Sequence, residues 1–125
     1  MVGGRNLAAQ ARGRFGEGEA ARWYVQHGYR VLARNWRCDL GEIDLVVARP
    51  GVLAVVEVKA RRNDDFGGPL AAISPSKRVR LRRLAARFVA EHRTELDRML
   101  GGSYELRLDL AAVNGVRVEI LEGVL

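Results

Sequence analysis

The chain has 125 residues, 48% of them hydrophobic, enough for one compact domain and short for two. Its formal net charge is +6, from 21 basic and 15 acidic residues, and Lys59 and Lys77 are the only lysines among many arginines. No apolar run approaches the roughly 20 residues needed to cross a bilayer, the N-terminus lacks a secretory pattern, and the single cysteine, Cys38, excludes an internal disulfide and a paired-cysteine metal site. These bounds predict a soluble, cytoplasmic single domain over residues 1–125, with no membrane role and an arginine surface suited to a polyanion.

Residues 1–5, with two glycines, read as a frayed leader. Asn6 to His27 is predicted helical, with Ala8, Ala11, Phe15, Ala21, Tyr24 and Val25 as the buried stripe and Gly28 as the C-terminal cap. Gly13, Gly16 and Gly18 weaken the first half of that helix. Tyr29 to Asn35 reads as a strand, and Trp36 to Asp39 as a turn. Residues 40–60 then form two apolar strands about Pro50-Gly51. A long loop over residues 61–76 precedes a second helix, from Ser76 or Lys77 to Leu100. Leu81, Leu84, Ala85, Phe88, Leu96 and Met99 form its core stripe, while Arg80, Arg83 and Arg87 share another face. Tyr104 to Val113 and Val116 to Leu121 are the last strands, joined at Asn114-Gly115. The order α-β-β-β-α-β-β predicts an α/β fold, a mixed sheet flanked by helices.

The chemistry concentrates in the hairpin about Pro50-Gly51. An even-length loop there pairs residues whose numbers add to 101, placing Asp44 opposite Glu57 and Glu42 opposite Lys59 on one face. Ile43, Leu45 and Val47 with Ala54, Val56 and Val58 then form the apolar face. Like charges directly opposite one another destabilise a sheet, so the Asp44–Glu57 pair calls for a cation. A hard divalent ion, Mg²⁺ or Mn²⁺, suits two carboxylates plus water and phosphate oxygens. Lys59 lies on the same strand face as Glu57 and can orient a water or stabilise charge on phosphorus oxygens. Glu17 or Glu19 can complete the site from the first helix, and Lys77, at the start of the second, can meet a phosphate. The plainer alternative is a surface ladder of salt bridges with solvated carboxylates. His27 and His92 are read as structural, and Trp36 and Tyr29 as closing a core edge.

Gly41-Glu42-Ile43-Asp44-Leu45-Val46, followed by Val55-Val56-Glu57-Val58-Lys59-Ala60-Arg61, resembles the PD-(D/E)xK nuclease signature in the form carried by the YraN-like family of small bacterial proteins. The resemblance extends through Gly16-Glu17, Gly28-Tyr29, Asn35-Trp36-Arg37-Cys38, Phe66-Gly67 and Lys77, so it covers most of the chain. Ile43 stands in place of the signature proline, as that family permits. The resemblance implies a fold similar to Holliday junction resolvases and restriction endonucleases. It implies Asp44, Glu57 and Lys59 as a catalytic triad, with Glu17 rather than Glu19 as the helix carboxylate.

The expected function is metal-dependent hydrolysis of phosphodiester bonds in nucleic acid, with DNA, branched DNA included, as the expected substrate. Arg61 and Arg62, with Lys77, Arg80, Arg83 and Arg87, are expected to grip the backbone. One chain carries one site, so cutting both strands requires a homodimer or two visits. The alternatives are a non-catalytic nucleic-acid-binding module on the same fold and a protein-interaction scaffold.

Overall fold

The computed structural model describes residues 7–61 and 68–125. Helix α1 (Leu7–Gln26) leads into strands β1 (Arg30–Cys38), β2 (Gly41–Arg49) and β3 (Val52–Arg61). A 3₁₀ turn at Pro69–Ala72 precedes helices α2 (Pro75–Glu91) and α3 (Arg93–Leu100), and strands β4 (Glu105–Asn114) and β5 (Arg117–Leu121) follow. The strands form one five-stranded sheet in sequence order. β3 and β4 are parallel, whereas the other neighbours are antiparallel. Parallel neighbours need a long crossover, which α2 and α3 supply. Among the described residues no helix is long and apolar enough to cross a membrane.

Both faces of the sheet are covered. On one, Ala20, Ala21 and Tyr24 of α1 pack on Leu45, Val47, Ala54, Val56 and Ala111. On the other, Leu81, Leu84, Ala85, Phe88 and Leu96 pack on Val46, Ala48, Leu53, Val55 and Leu110. Strands buried on both sides carry unbroken apolar runs, hence Leu45-Val46-Val47-Ala48 and Leu53-Ala54-Val55-Val56.

The first helix buries Ala21 and Tyr24 of the expected stripe but not all of it. Phe15 and Val25 are 51% and 54% exposed. The contact line runs instead through Gly16, Ala20 and Tyr24, four residues apart, as one helix face requires. A Cβ on Gly16 would sit 3.0 Å from Cβ of Ala60, so the helix backbone itself approaches the sheet there. Hydrophobicity alone picks out the large residues, but the small ones set this approach. Gly28, at φ 88°, ends the helix as expected, with Tyr29 N donating to Tyr24 O and Gly28 N to Val25 O.

β1 runs on through Cys38, so Trp36 belongs to the strand and packs edge-on against Phe88, centroids 5.3 Å apart. The second helical segment starts one residue earlier than expected, at Pro75, and breaks at His92 (φ −117°), whose Nδ1 bonds to Phe88 O at 2.8 Å. The last turn lies one residue later than expected, with Asn114 paired to Arg117. The expectations for residues 1–5 and for Phe66-Gly67 lie outside the described residues.

A buried polar network ties α1 to β4. The Arg107 guanidinium donates to Asp109, Nε to Oδ1 at 2.9 Å, and to the Tyr29 hydroxyl at 2.7 Å. Tyr24 OH and Gly123 N also donate to Asp109, at 2.7 and 2.9 Å. Asp109 is fully buried, and both of its carboxylate oxygens accept hydrogen bonds, as burial of a polar group requires.

Candidate active site

The β2–β3 ladder runs from Arg49–Val52 at the turn to Leu45–Val56 in the expected register but stops there, so the expected Asp44–Glu57 and Glu42–Lys59 pairs are not part of it. Beyond it the carboxylate of Asp44 takes over from the backbone, as Val58 N donates to Asp44 Oδ2 at 2.8 Å. Asn35 lies opposite Asp44 in the β1 register, at a positive φ of 51°. This irregularity corrects one expectation. Ile43 joins the cluster under α2, while Leu45 and Val47 join the one under α1, so the three do not share a face.

Glu57 is buried, with only 7% of its side chain exposed, and two ammonium groups compensate it. Lys77 Nζ lies 2.6 Å from Glu57 Oε2, and Lys59 Nζ lies 3.6 Å from the same oxygen. Lys59 reaches it because residues two apart share a strand face. Lys77 reaches it from the first turn of α2, where Ser74 Oγ caps the helix by accepting from Lys77 N at 3.2 Å. Both lysines of an otherwise arginine-based chain therefore converge on one carboxylate. A compact ammonium that can change its protonation state does what a guanidinium cannot.

The electrostatics follow from crowding. Burial, then the neighbouring Glu57 carboxylate, pushes Asp44 up to about 7, against the lowering effect of the Val58 hydrogen bond. Burial also raises Glu17, offset by a hydrogen bond from Asn35, with Glu42 and Glu57 adding repulsion. Glu17 of α1 thus shares its field with both hairpin carboxylates. Lys59 is lowered by burial and by the adjacent Lys77. For Lys77 burial is the largest single effect and works the same way, but the bond to Glu57, the Glu57 charge and smaller contributions from Lys59 and Asp44 together outweigh it, and the net shift is upward.

The structure thus groups Glu17, Asp44, Glu57, Lys59 and Lys77. Among the described residues no three carboxylate, histidine or cysteine side chains form a preformed metal cage. The donor set nevertheless fits a hard divalent ion, since Mg²⁺ is commonly held by one or two carboxylates plus waters and phosphate oxygens. Asn35 is a site residue that the spacing argument missed. Asparagine is among the few residues that tolerate a positive φ, and that was the available signal. Its side chain holds Glu17.

The arginines divide. Arg80 and Arg83 are exposed on α2. Arg87 makes surface ion pairs with Asp39 at 2.8 Å and Glu91 at 3.4 Å. Glu42 pairs across β1 with Arg37 at 2.6 Å. Arg61 closes β3 beside Asn114, and Arg62 lies outside the described residues.

Residues 16–113 match the family model described as "Uncharacterised protein family UPF0102". A UPF0102 protein of Beutenbergia cavernae is 43% identical over 122 residues, covering 94% of this chain and 98% of that one. One of Acidothermus cellulolyticus is 40% identical over 130 residues, 98% of each chain. The chain belongs to this family. UPF0102 is the YraN-like family that the hairpin motif resembles. A third UPF0102 protein, of Moorella thermoacetica, is 40% identical over 118 residues, covering 94% of this chain and 92% of its own.

Proposed function

We propose that this protein is a metal-dependent endonuclease, a hydrolase of nucleic acid phosphodiester bonds using Mg²⁺ or Mn²⁺, with DNA as substrate. The observation that carries the reading is the convergence of Asp44, Glu57 and Lys59 at the end of the β2–β3 ladder, with Glu17 and Lys77 beside them. An ordinary surface salt bridge would not press a carboxylate towards neutral pH or depress a lysine.

Asp44 and Glu57 would hold the ion, and Glu17, fixed by Asn35, would reach it directly or through water. When bound, such an ion polarises a phosphate and acidifies a water. Lys59 orients the attacking water and, as an ammonium, stabilises negative charge growing on the phosphorus oxygens. Lys77 sits where helix amides favour anions and meets a phosphate oxygen. Arg80 and Arg83 lie further along the same helix for the backbone beyond.

The test incubates purified protein with single-stranded, duplex and branched DNA in Mg²⁺ or Mn²⁺. Cleavage by the wild type, abolished in Asp44→Asn and Lys59→Ala, is the expected result. Intact DNA in every wild-type reaction overturns the enzymatic reading. A second reading, a binding module that holds nucleic acid without cutting it, is favoured by one observation. Lys77 already balances Glu57 at 2.6 Å, so the site has an internal counter-charge without a metal. Salt-sensitive binding with no cleavage is its signature.

A further inference from the structure

A cavity of about 300 Å³ opens between α1 and the sheet, lined by Arg12, Phe15 and Gly16 on the helix side and by Ala60, Val113 and Gly115 on the other. Two of these are chain neighbours of the site: Gly16 precedes Glu17, and Ala60 follows Lys59. Neighbouring strand side chains point to opposite faces, so Ala60 places the cavity on the α1 face of β3, whereas Lys59 reaches Glu57 and Lys77 on the α2 face.

Its chemistry is particular. Phe15 is half exposed, although the helix that carries it has a full apolar contact elsewhere through Gly16, Ala20 and Tyr24. Ala60 and Val113 supply apolar surface opposite the ring, and Arg12 supplies a guanidinium. The volume lies at the lower limit of small-molecule cavities, which suits one planar ring system and excludes a base-paired duplex. An aromatic platform beside a cation is how single strands are held, because every base has a face to stack whatever its sequence. Apolar peptide side chains would gain nothing from the arginine, and the +6 charge of the chain favours an anionic ligand.

We propose that this cavity is a subsite for one unstacked nucleobase, which stacks on Phe15 while Arg12 meets its phosphate. The proposal rests on the nucleic-acid reading of the candidate active site and narrows it. A base can enter only if it has left its helix, so the favoured ligand is single-stranded or splayed at a junction or end, not continuous duplex.

The test is fluorescence anisotropy with labelled single-stranded and duplex oligonucleotides, Ca²⁺ replacing Mg²⁺, on wild type, Phe15→Ala, Phe15→Trp and Arg12→Ala. Phe15→Ala is expected to weaken single-strand binding about tenfold, equivalent to about 1.4 kcal/mol, and to leave duplex binding unchanged. Phe15→Trp should keep the affinity, and its emission should be quenched as the base stacks. Arg12→Ala should reduce the salt dependence of binding by about one phosphate contact. Thermal unfolding of Phe15→Ala at the wild-type temperature shows that a half-exposed ring, not the fold, has been removed. If the wild type binds and Phe15→Ala binds equally well, or loses duplex binding equally, the base subsite is overturned while the nucleic-acid reading stands. If the wild type binds no nucleic acid at all, both fall.

Discussion

Lys77 Nζ lies 2.6 Å from Oε2 of Glu57, one of the two carboxylates proposed to hold the metal ion. The helix cap at Ser74 places this ammonium, and burial of Glu57 keeps it there. Lys77→Met should therefore tighten Mn²⁺ binding, on the order of tenfold, because the ion no longer displaces a resident cation. In EDTA the same variant should lose about 1 kcal/mol, since a buried carboxylate has lost its nearest partner and only part of that pair was shielded from solvent. Calorimetric Mn²⁺ titration and urea denaturation measure the two effects. Unchanged or weaker Mn²⁺ affinity would show that Lys77 does not compete for the site.

The metal-free protein should also carry a pH signature. Asp44 rises from 3.8 to about 7 on folding, through burial first and the Glu57 charge second. A folded pKa above the unfolded one means that the native state binds the extra proton. The associated stability is complete below pH 4 and is lost as pH rises to about 7. The loss should be on the order of 2 kcal/mol, less than the full shift implies because Asp44 keeps some contact with water. Asp44→Asn still accepts from Val58 N and does not titrate. Its stability relative to wild type should climb between pH 4 and 7, then level off. Urea denaturation in EDTA across that range decides it, and a difference that does not vary with pH would place Asp44 in an ordinary environment.

The parts of this fold legible in the sequence were those set by local chemistry. Pro50-Gly51 and the apolar runs beside it determine the register of the hairpin as far as Leu45–Val56, next to Asp44 and Glu57, and Gly28 ends the first helix where a positive φ is needed. What depends on distant contacts was not legible. Nothing near His92 announces a helix break, since neither glycine nor proline stands there. Phe15 looks like core because it is large, yet Gly16 makes the approach because it is small. The departure of Ile43 from the face of Leu45 follows from the Asp44–Val58 bond and the Asn35 backbone, neither of which periodicity reports. The place of Lys77 at a helix start suggests a phosphate contact, but its grip on Glu57 spans 20 positions of chain and emerges only in three dimensions.

Two glycines of α1 should respond oppositely to substitution. Gly16 faces Ala60 at 3.0 Å from a would-be Cβ, and Ala60 belongs to a strand paired with β4, so neither side gives easily. Gly16→Val should cost about 1–3 kcal/mol by overpacking. By levering α1 away from β3 it should also displace Glu17 and reduce any cleavage by more than the stability loss explains. Gly18 has nothing within 4 Å of its would-be Cβ. Gly18→Ala should stabilise the protein by about 0.5–1 kcal/mol, the usual helical gain over glycine. Thermal melts of the two variants check the pair, and an equal response from both would remove the close approach as the reason for Gly16.

The Arg107–Asp109 network offers a stability test separate from the candidate active site. Asp109 is fully buried and accepts from Arg107, Tyr24 and Gly123. Burial, then the Asp109 charge, holds the Tyr24 hydroxyl far above its ordinary pKa, so it remains a donor. Asp109→Ala leaves the Arg107 guanidinium buried without its main partner and should cost about 3–5 kcal/mol. Tyr24→Phe removes one of several donors to Asp109 and should cost only about 1 kcal/mol. Combining the two should cost less than the sum, because the hydroxyl has little left to bond once the carboxylate is gone. Denaturant unfolding of both single variants and the double completes the cycle. Strict additivity would mean that Tyr24 and Asp109 act independently, contrary to the 2.7 Å bond between them.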